Sequence, residues 1–208
     1  MINTIRKDTN KHKVFYVCSY GGCGSKMLCE YLGHFGTVKH VHSRFPPTVL
    51  THIGLYDEWF STIPIAKEDL GNYYVIYIYR DPIKAIQSRF MQKEHLAHIQ
   101  TNPSITLEQV IESQQDLYGI EHFFDNYTNS NIKRNYKIYC VKYEDLFNNI
   151  EQLNRVLNIR CNKDLYPVEK TRTKPLTREI MALQPIYANL IKKMQGMPFL
   201  TTNLLGKG

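Results

Sequence analysis

The chain is poor in the features that mark membrane, secreted and metal-stapled proteins. No run of about 18 uncharged apolar residues occurs in its 208 residues, so no membrane-spanning helix is expected. The opening MINTIRKDTNKHK is polar and basic with no apolar centre, which reads as a flexible arm over 1–12 rather than a secretory signal. Cysteine is scarce and odd in number. The five, Cys18, Cys23, Cys29, Cys140 and Cys161, include no C-x-x-C pair, which argues against a disulfide framework and a zinc site. A cytoplasmic protein without a metal is the expectation. Internal repeats and low-complexity stretches are missing too, so a single domain over 1–208 is expected, long enough to bury a core.

What is present is a globular composition, 43% hydrophobic and 22% charged. A net charge of +7 favours phosphate-bearing or polyanionic partners. The basic residues are scattered, however, and no RNA or DNA motif occurs, so nucleic acid is not an expected partner. Fifteen tyrosines fall mainly in strand-like runs and on helix faces, where they suit core edges better than base-stacking platforms.

The segment Lys13–Glu30, KVFYVCSYGGCGSKMLCE, reads as a short apolar strand (Val14–Cys18), a glycine-rich turn and the start of a helix. Such a turn aims several backbone N–H groups at one spot, and the helix N-terminus adds partial positive charge, which together make an anion site. Gly21, Gly22 and Gly24 permit the tight turn and a close ligand approach. Cys23, Ser25, Lys26 and Met27 complete the candidate anion-binding set. Backbone N–H groups around Cys23 could lower its thiol pKa, although a passive turn residue is the commoner case.

Further along, a helix is expected over about Ser25–Phe35 with Gly36 as its C-cap. A second strand follows at Val38–His42, ending in the polar group His40, His42, Ser43 and Arg44. Tyr73–Tyr79 is continuously apolar and aromatic, as a central parallel strand covered on both faces should be. Asp81 and Pro82 suit the N-cap and first turn of a helix over Ile83–His95. Thr106 to Gln109 has capping-box spacing and opens a long helix to about Tyr127. A fourth strand is expected at Tyr136–Val141, then Tyr143-Glu144-Asp145 and a helix to about Leu157. Lys170–Pro175 is a basic segment, the last helix spans about Thr177–Gln195, and 196–208 is an irregular tail.

Strands alternating with helices imply an α/β fold with three layers, α/β/α, around a mostly parallel sheet of four to five strands. Ligands in such sheets bind outside the C-terminal strand ends. Every strand here ends in a chemically notable group: the glycine-rich turn, His42–Arg44, Arg80-Asp81, and Lys142–Asp145. One sheet edge would collect all four.

Three segments, in order, resemble the PAPS-dependent sulfotransferase family, whose fold is P-loop NTPase-like. Ser19–Leu28, SYGGCGSKML, is similar to the family's 5′-phosphosulfate loop. Val75–Ser88, VIYIYRDPIKAIQS, is similar to its 3′-phosphate motif, and Val141–Leu146, VKYEDL, to its segment near the adenine. The resemblance implies transfer of a sulfuryl group from PAPS to a hydroxyl or amine, leaving PAP, with no metal required. It assigns Gly24, Ser25 and Lys26 to the 5′-phosphosulfate, Arg80 and Ser88 to the 3′-phosphate, and Tyr143 to the adenine side. His42 becomes the base, with His40 as the alternate, and Lys26 a catalytic cation. Arg172 and Lys174 stand in for a C-terminal nucleotide-gripping loop that is not recognisable here. The acceptor is open among carbohydrates, peptides and small molecules.

Departures from the pattern are specific. Gly22 stands where the family has a lysine or arginine, so Lys26, Lys39 or Arg44 would have to supply the missing cation. Two other readings stay open. A P-loop kinase or NTPase would use Gly24-Ser25-Lys26, but Lys26 does not follow a glycine and Met27 replaces the magnesium-binding hydroxyl. A non-catalytic nucleotide-binding module would keep the fold without the loop cation.

Overall fold

The computed structural model describes residues 13–53, 63–90, 93–169 and 177–203. Its strands are β1 (Val14–Cys18), β2 (Thr37–Val41), β3 (Tyr73–Tyr79), β4 (Ile138–Lys142) and β5 (Leu200–Asn203). They form one sheet in the order β2-β1-β3-β4-β5, parallel except for β5, which runs antiparallel to β4. The described helices are α1 (Ser25–Leu32), α2 (Pro82–Ala85), α3 (Lys93–His98), α4 (Leu107–Ser113), α5 (Ile120–Thr128), α6 (Leu146–Val156), α7 (Arg178–Met181) and α8 (Gln184–Gly196). None is long and apolar enough to cross a membrane.

Side-chain alternation along the strands divides the core in two. Phe15, Val17, Ile76, Ile78 and Val141 pack under α1 and α6, through Leu28, Leu32, Ile150 and Leu153. Tyr16, Cys18, Val75, Tyr77, Tyr79 and Cys140 pack on the opposite face, against α5 and α8 among others. Both faces of β3 are therefore covered, which is why its sequence is apolar without alternation. Burying each large side chain contributes about 1.5–3 kcal/mol. Nine of the described tyrosines are buried in this core: Tyr77, for one, stacks on Tyr127 with ring centroids 4.5 Å apart, and Phe123 stacks on Tyr127 at 5.2 Å.

Several expected elements differ in extent. The long helix from Thr106 is two helices, because Gln114 and Gly119 both adopt left-handed backbone. The capping box at Thr106 and Gln109 is present. Asp116, in the break, accepts hydrogen bonds from the Glu121 backbone N–H and the Tyr187 phenol. The helix expected over Ile83–His95 begins as α2, capped by the Asp81 carboxylate at the N–H groups of Ile83 and Lys84. It then widens into a π-helical turn, Ile86–Phe90. The last helix likewise divides into α7 and α8, and α1 ends at Leu32 rather than Phe35. Gly36 is not its C-cap; it lies against the Lys13 carbonyl, where a Cβ would come within 2.3 Å. The expectation of an irregular tail is corrected over 200–203, where β5 pairs with β4 and Asn203 donates to the Tyr127 carbonyl. The arm over 1–12, the basic segment from Lys170 to Pro175 with Arg172 and Lys174, and residues 204–208 lie outside the described residues.

The strand order fixes where a ligand can sit. β1 has β2 on one side and β3 on the other, so the chain reverses its winding direction between β1 and β3. In open α/β sheets, the crevice outside the C-terminal strand ends at such a reversal is where ligands bind. The turn after Cys18 and the pair Arg80-Asp81 border it.

Candidate functional site

The turn after β1 has positive φ at Gly21, Gly22 and Gly24 (96°, 68° and 79°), a conformation that L side chains rarely adopt. Two of these glycines are also crowded. A Cβ on Gly22 would lie 2.7 Å from the Ala85 carbonyl oxygen, and one on Gly24 would lie 2.3 Å from the Tyr143 ring. The first contact leaves no room for a cationic side chain at position 22, because α2 approaches so closely. Gly24 is the N-cap of α1 and no side chain caps that helix, whose first turn carries no acidic residue. Its N-terminal N–H groups are thus left to an anion or to water.

A hydrogen-bond relay stiffens the turn. The Gly21 N–H donates to Ser19 Oγ, and the Ser19 hydroxyl donates to Ser25 Oγ at 3.0 Å. Ser25 Oγ lies 2.8 Å from His40 Nε2. Ser25 thus joins Ser19 to the His40 imidazole, with the direction of the last bond set by the His40 tautomer. Cys23 is fully buried, its thiol bonded to the Gly21 carbonyl, and burial pushes its pKa up. The reactive-thiolate option is thereby corrected, since a thiol without access or thiolate character is inert.

His42 Nδ1 lies 2.8 Å from the Ser19 carbonyl oxygen. A carbonyl only accepts, so Nδ1 carries the proton and Nε2 the lone pair. Burial, then the neighbouring His40, pulls its pKa down to about 3, with smaller contributions from Arg89 and His98. The His40 and His42 rings are 4.3 Å apart, on one side of β2. The structure therefore holds a neutral imidazole with a fixed tautomer beside the glycine turn.

Arg80 ties three strand ends together. Its Nη1 donates to the Gly22 carbonyl at 3.3 Å, its guanidinium lies 4.7 Å from the Tyr143 ring centre, and its Nε is 4.0 Å from Glu144 Oε1. Nε itself has no hydrogen-bond partner. Tyr20, buried under the turn, donates its phenol to the Arg80 carbonyl. Glu144 also accepts from the Asp81 N–H at 3.1 Å.

The structure thus gathers Gly21, Gly22, Cys23, Gly24, Ser25, His40, His42, Arg80 and Tyr143 in and beside the turn after β1. Other candidates lie apart. Lys26 is exposed on the first turn of α1, Met27 packs its side chain into the core beneath α1, and Ser88 is exposed on the π-helical turn. Among the described residues no hydrogen bond joins Ser88 to Arg80. Lys39 is exposed on β2, on the strand face away from His40. Arg44 is committed elsewhere: it donates to Thr101 and to the Tyr118 carbonyl. Sequence reasoning missed Ser19, Tyr20, Glu144 and Arg89. Glu144 had a usable signal, since it directly follows Tyr143 at a strand end. Ser19 and Tyr20 are ordinary residues in sequence and owe their roles to packing.

No family model, no curated protein and no solved structure matches this chain.

Proposed function

We propose that this crevice binds a nucleotide carrying phosphates at both its 5′ and 3′ positions, and that the protein is a PAPS-dependent sulfotransferase. The observation that carries the reading is the joining of two anion-binding elements at the β1/β3 reversal. One is the uncapped α1 N-terminus behind three glycines; the other is the Arg80 guanidinium, which holds the Gly22 carbonyl and lies 4.0 Å from Glu144. Their fit to an anionic group is supported by the backbone conformation of the turn and by the lack of any acidic residue in the first turn of α1. The P-loop-like character of the fold belongs to the same proposal, as do Ser88 and Lys26 as nucleotide contacts. Arg172 and Lys174 are carried in it from sequence alone.

In the proposed reaction an acceptor oxygen attacks sulfur while the bond from sulfur to the bridging phosphate oxygen breaks. The acceptor proton passes to Nε2 of His42, and the electron pair leaves on the 5′-phosphate to give 3′,5′-ADP. A base with a pKa near 3 is weak at neutral pH. A bound phosphosulfate counters this, because negative charge beside the imidazole stabilises its protonated form. His40, bonded to Ser25, then orients the turn as well as serving as the alternate base. The helix dipole stabilises charge developing on the leaving 5′-phosphate, while Arg80 holds the 3′-phosphate.

The alternative of a non-catalytic nucleotide-binding module draws on a specific observation: position 22 has no space for a cation, and Lys26 is exposed. The kinase alternative is weakened because Met27 packs into the core and offers no hydroxyl for magnesium. Calorimetric titration with 3′,5′-ADP, ADP, and ATP with magnesium tests the reading. Preference for 3′,5′-ADP is expected. Equal or better binding of ATP with magnesium contradicts it.

A further inference from the structure

The glycine turn has no cation of its own, yet one is packed on it from another element. A Cβ on Gly21 would lie 3.0 Å from Arg89 Cγ and 3.2 Å from Arg89 Nε. Arg89 belongs to the π-helical turn that continues α2. Ala85, four residues earlier, is the residue whose backbone abuts Gly22. One helix face therefore touches the turn twice, with the small Ala85 on Gly22 and the long Arg89 on Gly21. The two contacts are linked in cause: the approach that denies position 22 a side chain also delivers Arg89. The π turn begins directly after Ala85 and carries Arg89, and such turns are frequent at functional sites.

Two electrostatic relations show where this charge acts. Arg89 helps to keep His42 unprotonated, and the neighbouring Cys23 partly offsets the lowering that burial imposes on the Arg89 guanidinium. Arg89 is thus on the His42 side of the turn, whereas Arg80 is on the Tyr143 side. The guanidinium stays charged at any working pH.

We infer that Arg89 supplies the cation missing from the glycine turn and engages the sulfuryl end of the donor, with Arg80 engaging the nucleotide end. This inference rests on the sulfotransferase reading. It divides the work of the two arginines along one ligand, so that each discriminates a different part of it.

The test is calorimetric titration of the full chain with PAPS and with 3′,5′-ADP, in wild type, Arg89→Ala, Arg89→Lys and Arg80→Ala. Arg89→Ala should weaken PAPS by about tenfold or more, the size of a lost charge-assisted contact, and 3′,5′-ADP by less than about threefold. Arg89→Lys, which keeps charge and bulk, should recover most of the PAPS affinity. Arg80→Ala should weaken both ligands together. Wild-type binding of both ligands with Arg89→Ala indistinguishable from it overturns the role of Arg89 and leaves the sulfotransferase reading standing. Equal losses for the two ligands in Arg89→Ala also overturn it, since the arginine would then grip phosphate generally. Failure of wild type to bind either ligand overturns both.

Discussion

The loops after β1 and β2 are neighbours, joined by the Ser19 N–H to the Val41 carbonyl at 3.1 Å, yet they use their polar groups in opposite ways. After β2, beyond His42, most polar groups are engaged by the scaffold. The Ser43 carbonyl accepts from Tyr127, the Arg44 carbonyl accepts from Asn126, and the Arg44 guanidinium donates to Thr101 and the Tyr118 carbonyl. After β1, side chains brace the turn from behind while the N-terminus of α1 is left without a cap. Two adjacent strand ends with similar sequence polarity thus differ: Ser43 and Arg44 hold the fold, while the turn after β1 leads into an uncapped helix N-terminus, as the proposed ligand site requires. A polar cluster at a strand end is evidence of a site only when its hydrogen bonds are not already spent.

The contrast can be broken by mutation, and the largest effect is expected on the scaffold side. Arg44→Ala should cost about 2–3 kcal/mol of stability, because it removes charge-assisted hydrogen bonds to Thr101 and the Tyr118 carbonyl and empties the space beside Gly119. Denaturant unfolding measures this, and 3′,5′-ADP affinity corrected for folding should stay within about twofold. Gly24→Ala is the counterpart on the ligand side. It forces an L side chain into left-handed backbone against Tyr143, at about 1–2 kcal/mol, and should weaken 3′,5′-ADP about tenfold by moving the α1 N-terminus. If Gly24→Ala bound normally, the turn would be a steric connection and nothing more.

His42 gives a smaller, pH-dependent effect. Its folded pKa, about 3, lies below its unfolded value of 6.5. Between these values the unfolded chain binds the proton and the folded chain does not, so stability is full above pH 6.5 and falls on acidification. The slope approaches about 1.4 kcal/mol per pH unit for one proton. Comparing urea midpoints at about pH 7 and 5, above most carboxylate titration, should show the loss in wild type and a shallower one in His42→Gln. The smallest effect is expected from Tyr143→Leu. Loss of the cation–π contact with Arg80 is worth about 0.5–1 kcal/mol, which should weaken 3′,5′-ADP about two- to fivefold.

Legibility in the sequence followed the physics of each segment. The bounds of β1 and β3 were readable because a strand covered on both faces is an uninterrupted apolar run. Asp81-Pro82 was readable because a cap followed by proline has a local cause. The break at Gln114 was not, since left-handed backbone at a glutamine leaves no compositional mark and the apolar spacing continues through Leu117 and Tyr118. The tail strand was hidden for a different reason: Leu200–Asn203 is short, and its pairing comes from β4 rather than from its own pattern. In the site, residues that act through type, such as the glycines and Arg80, stood out. Arg89 did not, because its meaning depends on a helix approaching the turn closely enough to exclude a side chain at Gly22.

The central claim is that the turn after β1 and Arg80 together form a site for two separate phosphates. The most direct measurement is the ratio of affinities for 3′,5′-ADP and ADP in wild type and in Arg80→Ala. Wild type should favour 3′,5′-ADP by about tenfold or more, and Arg80→Ala should bring the ratio close to one while still binding ADP. A wild-type ratio of one, or a preference that survives in Arg80→Ala, would contradict the account.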